Sequence, residues 1–261
     1  MALAAVNGTT IHYRFDGPET GSVVMLSNSL ASNLTMWDNQ IPALKAAGYR
    51  VLRYDSRGHG QSAATPGPYS IAMLAADVVG LLDFLHLGKV HFCGLSLGGM
   101  VGQVLGASYG DRLLTLTLCD TSALPPQPEI WDERIASVMK NGTKILVDTA
   151  IDRWITKAGQ KRLPREAEKA RQMILNTPAV GYCGCGAAIR DLDLRESIRS
   201  IKTRTLVIVG DEDEGTPVSA AEFIHGQIVG SKLMIIPAAA HLSNVEQAEI
   251  FNAALLEFIG S

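Results

Sequence analysis

Apolar runs of strand length, rich in β-branched residues, recur along the chain: "TIHYRF", "SVVMLS", "YRVLRYD", "KVHFCGL", "LLTLTLCD", "RTLVIVGD" and "KLMIIPA". Between the later ones lie stretches of helical period, notably "IAMLAADVVGLLDFLHL", "LGGMVGQVLGASYG", "PVSAAEFIHGQI" and "NVEQAEIFNAALLEFI". Strands alternating with helices predict a mostly parallel sheet covered on both faces. Asn7-Gly8 ahead of the first run is a hairpin signal, so the N-terminal edge of the sheet is predicted to be antiparallel.

The alternation lapses between about Ser122 and Ile201, too long a stretch for a bare loop in a compact domain. Within it "IWDERIASVMKNGTKILVDTAIDRWI" and "PREAEKARQMILN" carry helical patterns, and no strand stands out. The expected organisation is an α/β core made of residues 1–121 and 202–261, with residues 122–201 inserted as a helical cap.

A chain of 261 residues that is 47% hydrophobic can bury one sizeable core. Its 23 basic and 26 acidic side chains leave a formal charge of −3 with no long run of either sign. That pattern speaks against nucleic acid or a membrane surface as partner, whereas a small anion needs only one placed Arg. "MALAAVNGTTIHYRFDG" has no basic leader region, and no window approaches the ~18 uncharged apolar residues of a membrane span, so a soluble, cytoplasmic protein is expected. The Asn-x-Thr triplets at Asn7, Asn33 and Asn141 then read as chance matches. Cys183-Gly-Cys185 is too tight for a zinc pair and lacks a second pair, so these, with Cys93 and Cys119, read as small buried residues in a reducing compartment; no metal or organic cofactor is signalled.

The chemistry begins at "HFCGLSLGGMVGQ", where a buried strand meets a helix through Gly94-Leu95-Ser96-Leu97-Gly98, the G-x-S-x-G nucleophile elbow. Such a turn presents Ser96 at the top of the sheet with a helix N-terminus behind it. The spacing fits neither a dinucleotide fingerprint nor a Walker loop. A serine needs a base, and in this arrangement the order is Ser, acid, His. His12 and His91 fall in strand patterns, His86 and His225 in helical ones, and His59 in the "RGHGQS" turn. His241 remains, in a loop after "LMIIPA"; Ser243 and Glu246 beyond it match a capping box, which predicts a helix start near Asn244. For the acid, "IVGDEDEGTP" offers Asp211, Glu212, Asp213 and Glu214, and spacing alone does not choose among them. An oxyanion hole would use the Leu97 amide and one from the loop "MLSNSLASNLTMW", with Leu30 the candidate donor.

Several stretches together resemble the 3-oxoadipate enol-lactonases of the α/β-hydrolase superfamily: "LSNSLASNLTMWDNQ", "RYDSRGHGQS", "PGPYSI", "HFCGLSLGGMVGQ", "IWDERI", "GYCGCGAAIRDLDLR", "VIVGDEDEGTP" and "AHLSNVEQ". They span almost the whole chain, cap included. The resemblance implies an α/β-hydrolase fold with Ser96 as nucleophile, His241 as base and, from the G-x-x-D-x-x-T-P pattern of Gly210 to Pro217, Asp213 as the acid. It also implies oxyanion stabilisation by the backbone of Leu30 and Leu97, and opening of a carboxylate-bearing lactone ring in the β-ketoadipate pathway of aromatic catabolism. The substrate carboxylate calls for a cation in the cap: Arg134 first, then Arg153 and Arg190, with Trp131 and Trp154 as pocket walls. Alternatives are a carboxylesterase, a carbon–carbon hydrolase, a lactonase for another ring, or a ligand receptor on the same fold. Ser96 at the elbow, where epoxide hydrolases and dehalogenases place Asp, speaks against those two classes.

Overall fold

In a computed structural model describing residues 2–124 and 127–261, the apolar runs form one eight-stranded sheet. Its strands are β1 (Ala2–Val6), β2 (Thr9–Asp16), β3 (Val23–Ser27), β4 (Arg50–Tyr54), β5 (Val90–Leu95), β6 (Leu113–Cys119), β7 (Thr205–Gly210) and β8 (Lys232–Ile236), in the order β1-β2-β4-β3-β5-β6-β7-β8. Asn7 and Gly8, both at positive φ, turn β1 back on β2; β1/β2 and β2/β4 are antiparallel and all other pairs parallel. Every residue of β3, β5 and β7 is buried, which is why those runs read as continuously apolar. Strand β1, "ALAAV", was not among the expected runs; it forms by pairing with β2 from Ala2↔Tyr13 to Val6↔Thr9.

The core helices are α1 (Ile41–Ala46), α2 (Ile71–Phe84), α3 (Leu97–Ser108) and, after the insertion, α9 (Val218–Gln227), α10 (Ser243–Glu246) and α11 (Ala248–Gly260). Helix α2 is capped by Ser70, whose hydroxyl accepts from the Met73 amide at 3.1 Å. His86 lies beyond α2, at φ 52°, and not inside it as its sequence context suggested. Helix α3 packs on β5 and β6 with α2 beside it, whereas α1 meets α11.

Between β6 and β7 the chain leaves the sheet for five helices: α4 (Pro128–Asn141), α5 (Val147–Trp154), α6 (Lys157–Arg162), α7 (Pro164–Leu175) and α8 (Ala179–Arg190). Helix α4 packs on α8, and α7 on α5 and α6. Helix α8, "AVGYCGCGAAIR", had no helical signature because small residues line it all round; it is buried from Gly181 to Ile189. None of the described helices is long and apolar enough to cross a membrane.

Candidate active site

The loops after β5, β7 and β8 carry the candidate chemistry, because parallel strands deliver all their C-terminal ends to one edge of the sheet. After β5 the chain turns at Ser96 with φ 58° and ψ −114°, a left-handed conformation that costs about 1–3 kcal/mol and persists only where its surroundings enforce it. Two bonds do so: the Ser96 amide donates to Cys119 O at 2.8 Å, and Thr121 Oγ1 donates to Ser96 O at 2.8 Å. The elbow's glycines answer to space: a Cβ on Gly98 would overlap the Ser27 carbonyl, and one on Gly94 the Gly98 carbonyl.

His241 follows β8. Its Nδ1 lies 2.8 Å from Asp213 Oδ2, and Asp213 is the one member of the acidic run turned inward; Asp211, Glu212 and Glu214 are exposed. The same Oδ2 accepts from Thr216 Oγ1 at 2.6 Å, while Oδ1 accepts from the amides of Gly215 and Thr216 at 2.8 and 3.0 Å. Burial disfavours the charge on Asp213, but the positive charge and hydrogen bond of His241 and the bonds from Thr216 prevail, and the carboxyl is held below its ordinary range. Burial likewise opposes protonation of His241; the Asp213 charge and bond, joined by the charge of Asp120, overcome it and raise the imidazole pKa. Ser96, Asp213 and His241 are all buried, and among the described residues no hydrogen bond joins Ser96 to His241.

The loop after β3 brings Leu30 to this edge. Asn28 anchors it: its carbonyl accepts from the Gly98 amide at 3.0 Å, and its side chain bonds Tyr54 O and the Trp37 indole at 2.7 and 3.0 Å. His59 supports the next turn, with Nε2 3.0 Å from the Ala31 amide and Nδ1 3.2 Å from Arg57 O. That pairing assigns the proton to Nδ1, and burial lowers the His59 pKa, keeping it neutral. Arg57 in turn forks onto Asp77 with bonds of 2.8 and 2.6 Å. The amides of Leu30 and Leu97 donate to no loop or turn acceptor among the described residues.

The other histidines are engaged elsewhere: His12 with Asp55 at 2.7 Å, His91 with Thr115 at 2.9 Å, His225 with Ser231 at 2.8 Å. The expected capping box is not formed. Ser243 gives its hydroxyl to Asp120 Oδ2 at 2.6 Å, and Glu246 turns to the Ala240 amide and to Thr156, so α10 starts in the expected place without a side-chain cap.

The cap contributes Trp131, Arg134, Arg153, Trp154 and Tyr182. Arg134 lies over the Trp131 ring, 4.7 Å from its centroid, and the charges of Arg134 and Arg153 both bear on the buried Tyr182 hydroxyl, whose pKa burial nonetheless raises. Arg153 also faces His241, and a Cβ on Gly215 would lie 2.8 Å from its Nη2. Trp154 O accepts from the Leu242 amide at 2.9 Å, which docks the cap on the His241 loop. Arg190 does not join this group: it sits on the surface, bonded to Asp132 and Asp191 at 2.7 Å each. Sequence reasoning passed over Asp120, Thr216 as a ligand of Asp213, and Tyr182. Of these only Thr216 had a signal, as the T of the G-x-x-D-x-x-T-P pattern.

The α/β hydrolase fold family matches residues 22–248. A 3-oxoadipate enol-lactonase of Acinetobacter baylyi is 35% identical over 254 residues, which cover 97% of this chain and 94% of the relative. Among solved structures, an enol-lactonase from Burkholderia xenovorans aligns with a TM-score of 0.97 at 38% identity, each chain covered in full. A hydrolase from Pseudomonas aeruginosa aligns with a TM-score of 0.96 at 42% identity, covering 100% of this chain and 98% of that one. The chain thus belongs to the α/β-hydrolase fold family, in the branch of the 3-oxoadipate enol-lactonases, and is a hydrolase acting on esters or lactones.

Proposed function

We propose that this hydrolase opens the ring of 3-oxoadipate enol-lactone through Ser96, His241 and Asp213. His241 Nε2 takes the Ser96 proton as Oγ attacks the lactone carbonyl, and Asp213 holds the Nδ1 proton and so fixes the tautomer. The amides of Leu30 and Leu97 receive the tetrahedral oxyanion. Collapse breaks the ring C–O bond and expels an enolate, a better leaving group than a simple alkoxide, which takes up a proton to become the ketone. Water activated by His241 then attacks the acyl-enzyme, Ser96 recovers its proton, and one water is consumed for each ring opened.

The observation that carries the anionic substrate is the pair Arg134 and Arg153. Neither has a carboxylate partner among the described residues, both face Tyr182, and Arg153 reaches the triad. A carboxylate held there would leave the lactone carbonyl toward Ser96, with Trp131 and Trp154 as apolar walls. The test is kcat/KM on 3-oxoadipate enol-lactone beside a neutral lactone and a short-chain aryl ester. A strong preference for the anionic lactone is expected. Comparable slow turnover of all three overturns the substrate and leaves a general carboxylesterase; binding without multiple turnover leaves a receptor.

A further inference from the structure

Asp120 follows β6 at the point where the three segments carrying Ser96, Asp213 and His241 meet. Its chain neighbours grip the elbow, since Cys119 O and Thr121 Oγ1 make the two bonds that hold the Ser96 backbone. Its side chain grips the other two segments. Oδ1 accepts at 2.9 Å from the amide of Gly210, three residues before Asp213, and Oδ2 lies 2.6 Å from the hydroxyl of Ser243, two residues after His241. The Asp120 amide donates to Ile208 O at 2.8 Å, its backbone is left-handed at φ 44°, and none of the residue reaches solvent. A polar side chain this deep, on a strained backbone and bonded across 90 and 123 residues of sequence, is costly unless it serves the site.

We propose that Asp120 is a positioning residue of the triad, a joint through which one carboxyl sets the acid and base loops against the strand end that holds Ser96.

Its charge matters as well. The groups facing Asp120 are Asp213 from the loop after β7, His241 from the loop after β8, and the Cys119 thiol on its own strand, itself 3.8 Å from Cys93; Arg153 faces His241 from the cap. Among the described residues no permanent cation bears on it, and burial and the Asp213 charge push the Asp120 carboxyl up to about 8. A charged Asp120 raises the His241 pKa, and a neutral one leaves the imidazole freer to accept from Ser96.

This role, which rests on the triad assignment and not on the choice of lactone, is tested on p-nitrophenyl acetate with Asp120→Asn, Asp120→Ala and Ser96→Ala. Asparagine keeps the shape and still accepts from Gly210, reverses the Ser243 bond so that the hydroxyl accepts, and cannot ionise. Asp120→Asn should keep kcat within about threefold, while the acid limb of kcat/KM moves to lower pH by about half a unit or more. Asp120→Ala should lose about ten- to a hundredfold in kcat with a smaller change in KM. An unmoved acid limb in Asp120→Asn, or a loss in it as large as in Asp120→Ala, overturns the proposal. Turnover surviving in Ser96→Ala would instead overturn the triad assignment itself.

Discussion

The carboxylate of Glu246 joins Thr156, at the head of α6 in the cap, to the loop that presents His241. It accepts from the Thr156 amide at 3.1 Å and from the Thr156 hydroxyl, and it takes the amide of Ala240, the residue before His241, at 3.1 Å. Glu246 is 1% exposed, and these donors offset what its carboxylate loses on leaving water. One carboxylate thereby ties the head of α6 to the residue before His241.

Glu246→Gln keeps the shape and leaves one oxygen for the two amides, but it removes the charge and makes the other atom a donor to which the Thr156 hydroxyl must turn as acceptor. The change should cost about 1–3 kcal/mol, read as a lower urea midpoint, and should reduce kcat as the His241 loop loosens. A variant with the parent's midpoint and parent's kcat would show that Glu246 fills space and nothing more.

Asp213 and His241 have opposite pH signatures. Asp213, depressed in the fold, contributes stability that is full above its unfolded pKa of about 3.9 and is lost as pH falls through the lower folded value. His241, raised, contributes stability below about pH 6.5 and loses it as pH rises through the folded value. With His241 as the proposed base only the neutral imidazole accepts from Ser96, so kcat/KM should climb with pH through a midpoint above about 6.5. Asp213→Asn should cost about 10⁴ in kcat and move that midpoint down; a midpoint that stays put would mean the pair does not titrate together.

Among the described residues Arg134 has no salt-bridge partner; it stacks on Trp131 and bonds Tyr182, so its removal on two substrates reports on substrate charge. Arg134→Ala should raise KM for the anionic lactone by about ten- to a hundredfold, as for a lost charged hydrogen bond, and leave a neutral aryl ester much less affected. Equal losses on both substrates would take Arg134 out of carboxylate binding and leave Arg153 as the remaining cation.

Seven strands, the elbow and the loop position of His241 were legible because each is a local pattern: apolar runs, a five-residue turn, a histidine just past a strand. What escaped is written across long separations. Ser243 and Glu246 satisfy the spacing of a capping box, yet Asp120, 123 residues away, and Thr156, 90 residues away, outcompete the local backbone for their side chains. Asp120 itself looks in sequence like any acid closing a strand, and only the meeting of β6, β7 and the base loop gives it partners. Among Asp211 to Glu214 the choice was equally nonlocal, since inward or outward depends on how the turn seats against His241. Helix α8 escaped for a different reason: it has no polar face, so periodicity has nothing to register.

That same composition lets α8 seat on the core. Gly181 lies directly against the backbone of Gly58, and a Cβ on Gly184 would come within 2.6 Å of the Tyr69 ring, whose amide bonds Gly184 O at 3.2 Å. Gly58 adjoins His59, the support of the Ala31 amide, so the approach of α8 and the shape of the Leu30 loop are linked through two residues. Gly181→Ala should therefore destabilise by about 1–3 kcal/mol through overpacking and lower kcat with it. Gly226, inside α9, is the matching control, for a Cβ there meets nothing within 4 Å. Gly226→Ala should stabilise by about 0.5–1 kcal/mol through helix propensity alone and leave kcat as it was. Urea midpoints of the two variants, measured side by side, should move in opposite directions; if both rise, α8 has room to spare and the contact with Gly58 does not constrain the Leu30 loop.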